Sequence, residues 1–337
     1  MITPREHAIV SQLLDKYGLS YLNIRDSERG YRNRSYPVEL TNHRLANLIL
    51  YKSEAGILEK IRHANAVSGY LAAHGLPARQ TFSPRIIRLS FGDKHKFVSI
   101  YQYLPGSTIP WEGYSMNHLK VLGLAMSRLH EQLSRMDRPV GLPDVTAEYL
   151  RLTQRMLAYF GQPQVIESIE SKLGVQLGTD TFIRYSRLLQ LVAGLTGQQV
   201  LHMDFVRGNI LFGQSSPNLQ ISSVAITGIL DFEKTSFGLP IVDIARTLAF
   251  LLVDCKYKSE TKIRQYFLYS GYIKHGGGTL QYPHLLEPLI DLFLTYDFYK
   301  FLLHNPYEAL DQNEHFVRTR RLLLTRGIIS GLSLMVE

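Results

Sequence analysis

Two hydrophobic periods divide this chain, and the order in which they appear limits the folds open to it. As far as residue 104, apolar side chains mostly alternate with polar ones in "YLNIRD" (21–26), "RSYPVEL" (34–40), "LANLILYK" (45–52), "RIIRLS" (85–90) and "KFVSIYQYL" (96–104). Such alternation marks strands with one buried face. "TNHR" turns the second of these into the third, and "FGDKH" joins the last two. A helix over 4–17, with Pro4 in its first turn and Gly18 as its stop, precedes them, and one over 54–77, stopped by Gly75 and Pro77, interrupts them. After "YLPGSTIP" (103–110) the period lengthens. In "SMNHLKVLGLAMSRLHEQL" the residues Leu119, Leu122, Met126, Leu129 and Leu133 recur at three- and four-residue steps, the stripe of a helix packed on a core. Further helices are expected over 145–160, 163–173, 180–196, 241–254, 259–272 and most of 283–337. The fold class is therefore α+β, a small β-rich N-terminal lobe (1–104) and a larger, mostly helical C-terminal lobe (105–337). A length of 337 residues also suits two domains better than one.

One stretch breaks the helical half. "VLHMD" leads into "NILF", "GQSSPN" turns, and "ISSVAITGILDFE" returns, a β island among helices. Polar residues on loops held by such a scaffold are well placed for chemistry.

Composition removes several alternatives. With 45% apolar and 20% charged residues the chain can bury a core and is not disordered. A single cysteine, Cys255, excludes an internal disulfide, and its place after the apolar run 248–253 suits a buried thiol. No run approaches the roughly 20 apolar residues of a membrane span, and "MITPREHAIV" lacks the apolar region of a secretory signal. A cytoplasmic protein without a membrane partner is expected. The net charge of +8 could draw nucleic acid. However, the basic residues are scattered except for Arg318, Arg320, Arg321 and Arg326, which alternate with leucines as on a solvated helix face. No zinc spacing or RNA-binding aromatic signature accompanies them, so no nucleic-acid partner is expected.

Phosphoryl transfer from a nucleotide requires a carboxylate at the attacking hydroxyl, hard oxygen ligands for Mg²⁺ and a cation on the phosphates. Kinase loops meet the first two needs with His-x-Asp-x-x-x-x-Asn and a second Asp at the end of a hairpin. Here His202, Asp204 and Asn209 match the loop, and Asp231 in "GILDFE" matches the hairpin end.

"HMDFVRGNILF" followed by "ITGILDFEKTSFGLPIVDIARTLAFLL" resembles the aminoglycoside phosphotransferase and choline kinase family, which includes homoserine kinase-like enzymes. The resemblance spans roughly residues 20 to 275 and is densest from 200 to 250. It implies a two-lobed protein kinase-like fold and an enzyme that moves the γ-phosphate of ATP or GTP, with Mg²⁺, to a small-molecule hydroxyl. Asp204 would be the catalytic base, Asn209 and Asp231 the Mg²⁺ ligands, and His202 and Asp243 the supports of the loop. Gly30, Asn33, Arg34 and Ser35 would tip the loop that covers the phosphates. Lys52, on one strand face with Leu48 and Leu50, would pair with the phosphates beneath a leucine roof, and the backbone of Gln102, Tyr103 and Leu104 would bind the base. Tyr269, Tyr272, Tyr296, Asp297 and Tyr299 are candidate acceptor-pocket residues, since aromatic faces with a carboxylate suit a cationic amine.

Two positions depart from the family pattern. The first-lobe helix has Ala64 and Asn65 near the place of the glutamate that partners the lysine, with Glu59 more than a turn earlier, and Met203 replaces a small residue. The rival reading is a nucleotide-binding regulatory module without transfer activity, which the irregular lysine partner favours and the complete Asp204, Asn209, Asp231 set opposes. A protein kinase is disfavoured by the missing GxGxxG and by the lack of an APE-like segment after Asp231.

Overall fold

The computed structural model describes residues 2–26, 28–29, 33–91 and 94–331. Helix α1 (Pro4–Tyr17) opens with a capping box between Thr3 and Glu6 and ends at Gly18, whose φ of 69° needs no Cβ. Strands β1 (Tyr21–Ile24), β2 (Glu28–Arg29), β3 (Arg34–Leu40) and β4 (Leu45–Leu50) follow, then α2 (Ile57–Ala73), β5 (Ile87–Phe91) and β6 (Lys94–Gln102). All pairings are antiparallel, in the order β1-β3-β4-β6-β5, with β2 on β3.

The alternation along β4 decides what each sheet face meets. Ala46 and Leu48 join Val38, Val98 and Ile100 in a core closed by Val10, Leu13 and Leu14 of α1, and Leu50 packs against it. Ile49 and Tyr51 turn the other way, to Tyr101 and to Ile57 and Ile61 of α2. The expected roof of Leu48, Leu50 and Lys52 is therefore not one. The leucine face is covered by α1, and Lys52 lies past the end of β4 with its side chain exposed.

The rest of the chain supplies helices α3 (Met116–Leu133), α4 (Val145–Phe160) and α5 (Pro163–Leu173), the short strand β7 (Val175–Gln176), and α6 (Asp180–Ala193). The β island comprises β8 (Gln199–Leu201), β9 (Ile210–Gly213), β10 (Gln220–Ile221), β11 (Val224–Ile229) and β12 (Ser236–Gly238). Helices α7 (Pro240–Asp254), α8 (Glu260–Arg264), α9 (Leu286–His304) and α10 (Glu314–Thr325) close the sequence of helices. The expected helix over 259–272 changes character, because α8 runs on as a π-helical segment, Gln265–His275. No helix among the described residues is long and apolar enough to cross a membrane.

The chain forms two compact units: Met1–Thr108 with Asn209–Asn218 and Ala225–Lys234, and Ile109–Gly208 with Leu219–Val224 and Thr235–Glu337. The β9–β11 hairpin joins the first unit because Ser107 and Phe212 exchange backbone bonds (3.0 and 2.9 Å) and the Ile229 N–H donates to the Pro77 carbonyl (2.7 Å).

In the second unit the stripe Leu119, Leu122, Met126, Leu129 and Leu133 is buried. Gly123, on the same helix, lets the π-helical segment approach backbone to backbone. A Cβ there would run into the Phe267 carbonyl and sit 2.8 Å from the Gly271 Cα. Gly123→Ala should cost about 1–3 kcal/mol through overpacking, to be read as a lowered urea midpoint with an unchanged m-value.

Candidate active site

In the second unit, β8 delivers the chain to a turn held by one buried carboxylate. Asp243, in the first turn of α7, accepts the backbone N–H groups of His202 (2.9 Å) and Met203 (3.1 Å), and its Oδ2 lies 3.4 Å from His130 Nε2. Burial pushes this carboxyl up, but the hydrogen bond and charge of His130 outweigh it and hold it below the ordinary range. Met203 has φ 63°, a left-handed conformation that a long side chain rarely adopts and that persists only where its surroundings impose it. The two bonds to Asp243 supply that constraint. The Asp204 N–H then donates to His202 Nδ1 (3.1 Å), which leaves the His202 proton on Nε2 if the ring is neutral. His202 is fully buried and meets Phe205 edge-on, and Asp204 is 6% exposed. Further along the loop, Arg207 Nε stands 4.0 Å from Asp254.

In the first unit, β9 and β11 pair from Ile210↔Ile229 to Gly213↔Ala225. The Leu230 N–H donates to the Asn209 carbonyl (2.8 Å), so Asn209 and Asp231 stand at the same end of the hairpin. Asp231 has φ 57°, a left-handed backbone that Asp tolerates better than most residues. Two residues on, Glu233 pairs with Arg79 (2.8 Å), both side chains nearly buried. The Arg79 guanidinium lies 4.1 Å from the centre of the Tyr101 ring. The Tyr101 hydroxyl is 2.6 Å from that of Tyr51 and donates to Asn65 Oδ1 (2.8 Å). Burial works against the Glu233 charge, but the charge of Arg79 outweighs it and holds the carboxyl below the usual range.

The remaining nucleotide-side expectations divide. Gly30 lies outside the described residues. The Asn33 amide oxygen accepts the Lys52 N–H (3.1 Å), and the Ser35 hydroxyl donates to Asn47 (2.6 Å). Arg34 is turned to α1, in an ion pair with Glu6. The N–H groups expected to meet the base are partly spent: that of Gln102 goes to Gln80 (2.8 Å) and that of Tyr103 to Leu45 (3.2 Å). Of the three residues, Leu104 alone retains an N–H outside these sheet bonds.

The expected acceptor residues lie in different surroundings. Tyr269 is exposed, while Tyr272 is buried with its hydroxyl 3.0 Å from His130 Nδ1. Tyr299 packs edge-on against Tyr159. Asp297 binds Arg246 through two bonds (3.0 and 3.2 Å), and Phe250, Phe293 and Tyr296 surround that guanidinium. The aromatic and carboxylate setting predicted for a cationic ligand is present, but the chain's own arginine fills it.

The model of the phosphotransferase enzyme family (APH) matches residues 23–257 of this chain. The chain belongs to that family. By sequence, no curated protein matches this phosphotransferase. Among solved structures, an amicoumacin kinase, hAmiN, in complex with AMP-PNP, Ca²⁺ and Ami is similar at TM-score 0.69 and 13% identity over 98% of each chain. A microcompartment-associated aminopropanol kinase is similar at TM-score 0.59 and 16% identity, over 96% of this chain and 98% of that one. The macrolide 2'-phosphotransferase MphH from Brachybacterium faecium is similar at TM-score 0.58 and 17% identity, over 94% and 97%. At such identities the likeness shows the fold, which is two-lobed, protein kinase-like and α+β.

Three residues of the phosphotransferase escaped the sequence reading. Glu233 was visible as an acid two positions after Asp231. Nothing in one sequence joins it to Arg79, 154 residues away, or joins Arg246 to Asp297.

Proposed function

We propose that this phosphotransferase moves the γ-phosphoryl group of ATP or GTP to a hydroxyl of a small molecule: a metabolite, an amino alcohol, a sugar or an aminoglycoside-like antibiotic. The observation that best supports this is the hairpin register that sets Asn209 beside the strand end bearing Asp231. An amide oxygen and a carboxylate form a donor set that fits Mg²⁺, which takes hard oxygens and completes its shell with water and phosphate. No cluster of three or more His, Cys, Asp or Glu residues that could hold a metal occurs among the described residues, and this ion's coordination habits do not call for one. When bound, Mg²⁺ neutralises phosphate charge.

Asp204 supplies the other half of the chemistry. Its carboxylate accepts the hydrogen bond of the acceptor hydroxyl and aims the oxygen lone pair at the γ-phosphorus. The new O–P bond forms as the bond to the β,γ-bridging oxygen breaks, the proton passes to Asp204, and the nucleoside diphosphate leaves. The clamp of Asp243 on residues 202 and 203 keeps that carboxylate in place without help from substrate.

Asp231→Ala should weaken Mg²⁺-dependent nucleotide binding itself, by about 10–100-fold if it acts as a direct ligand, whereas metal-free nucleotide binding changes little. Calorimetric titration of AMP-PNP with and without Mg²⁺ checks this, and equal losses in both would remove Asp231 from the metal.

A second reading, a regulatory module that binds nucleotide and transfers nothing, is favoured by one feature. Lys52 is exposed, and the acid on α2 nearest in sequence, Glu59, pairs with Arg62 at the surface. Nucleoside diphosphate release across a panel of hydroxyl compounds separates the two. Release with any of them excludes the second reading.

A further inference from the structure

We propose that Arg79, acting through Glu233, is the positioning residue that keeps the Asp231 turn able to take a divalent cation. This rests on the phosphotransfer reading above and goes beyond it by giving a buried ion pair of the first unit a part in holding the metal site.

One chain of contacts on the Ile49 and Tyr51 face of the sheet leads to this turn. Tyr51 meets Tyr101, Tyr101 carries the Arg79 guanidinium on its ring, and Arg79 holds Glu233, two residues past Asp231. The Arg79 backbone is equally fixed. Its neighbour Ala78 bridges to Ile229 in parallel, and Ile229 ends the strand that delivers Asp231. Asn65, near the place where a lysine-pairing acid was sought, is bonded instead to Tyr101.

The link has a mechanical reason. Asp231 holds a left-handed backbone (φ 57°), a conformation that persists only where its surroundings impose it. The Arg79–Glu233 pair (2.8 Å, both side chains nearly buried) ties the chain two residues past that turn to the segment bridged to Ile229. Arg79 keeps its charge at any physiological pH, so the tie is permanent. Glu233 Oε2 and Arg79 Nε are buried without a hydrogen-bond partner. The pair is thus less than fully satisfied, a poor arrangement if stability were its only use.

The test uses the whole chain and Mg²⁺ with AMP-PNP as probe. Removing Arg79 alone strands a buried carboxylate and could unfold the protein, so the main variant is Arg79→Met/Glu233→Leu, which removes both charges and is expected to fold. Its thermal midpoint should stay near that of the wild type. The Mg²⁺-dependent gain in AMP-PNP affinity should fall by about 10–100-fold, metal-free AMP-PNP binding should persist, and Arg79→Lys should recover part of the gain. A double variant with the full Mg²⁺ response, or one that loses metal-free binding and thermal stability in parallel, overturns the proposal. A wild-type protein without any Mg²⁺-dependent nucleotide binding would instead defeat the phosphotransfer reading, and this inference with it.

Discussion

Asp204→Asn should lower kcat by about 10²–10⁴-fold, the range removed with a positioned general base, and leave AMP-PNP affinity unchanged. The amide has the shape of the carboxylate but cannot take the acceptor's proton. Its surroundings argue that the loop survives the change. Three contacts that hold residues 202–204 run through backbone N–H groups to Asp243 and His202, and the substitution leaves those groups in place. The loss should therefore appear in kcat, with KM for nucleotide and thermal midpoint close to wild type. An Asn variant that turns over at the wild-type rate would place the base elsewhere.

The second large effect is expected at Asp243. Asp243→Ala leaves the His202 and Met203 N–H groups without an acceptor in a site from which water is excluded, since His202 and Asp243 are fully buried. An unsatisfied buried donor costs about 1–3 kcal/mol, so two should cost about 3–5 kcal/mol, measured as a fall in urea midpoint. Activity should fall further than the folded fraction, because Met203 is then free to leave its left-handed conformation and Asp204 is no longer aimed. Acid should act in the same direction. The Asp243 carboxyl is held below its ordinary range in the fold, so the unfolded chain takes up the proton first. The stability it contributes is complete above about pH 4 and is lost as pH falls through the depressed value. Asp243→Asn should flatten that part of the acid-unfolding profile. An unchanged profile would show that the carboxylate is not the clamp.

The order and type of the elements that carry the site were legible in the sequence because they are set by local periods. The stripe from Leu119 to Leu133 is buried, and the strands over 34–40 and 45–50 form with the boundaries their alternation indicates, apart from the last two residues of the second. The His202, Asp204, Asn209, Asp231 and Asp243 pattern was legible for a related reason, since its members lie on one loop, the hairpin after it and the next helix. The face on which the β4 leucines would lie was misjudged. Alternation says that Leu48 and Leu50 share a side, but it does not say which side α1 covers.

What the sequence by itself determined is the sheet-then-helix organisation, the family and the short-range loop spacing, all properties of residues near one another along the chain. Only the tertiary structure decided that Asp297 is occupied by Arg246, that Arg34 turns to Glu6, and that Arg79 pairs with Glu233 beside the Asp231 turn. These are pairings of charges far apart in sequence. Which cation meets which carboxylate depends on packing that brings them out of water together, and no period along the chain records it.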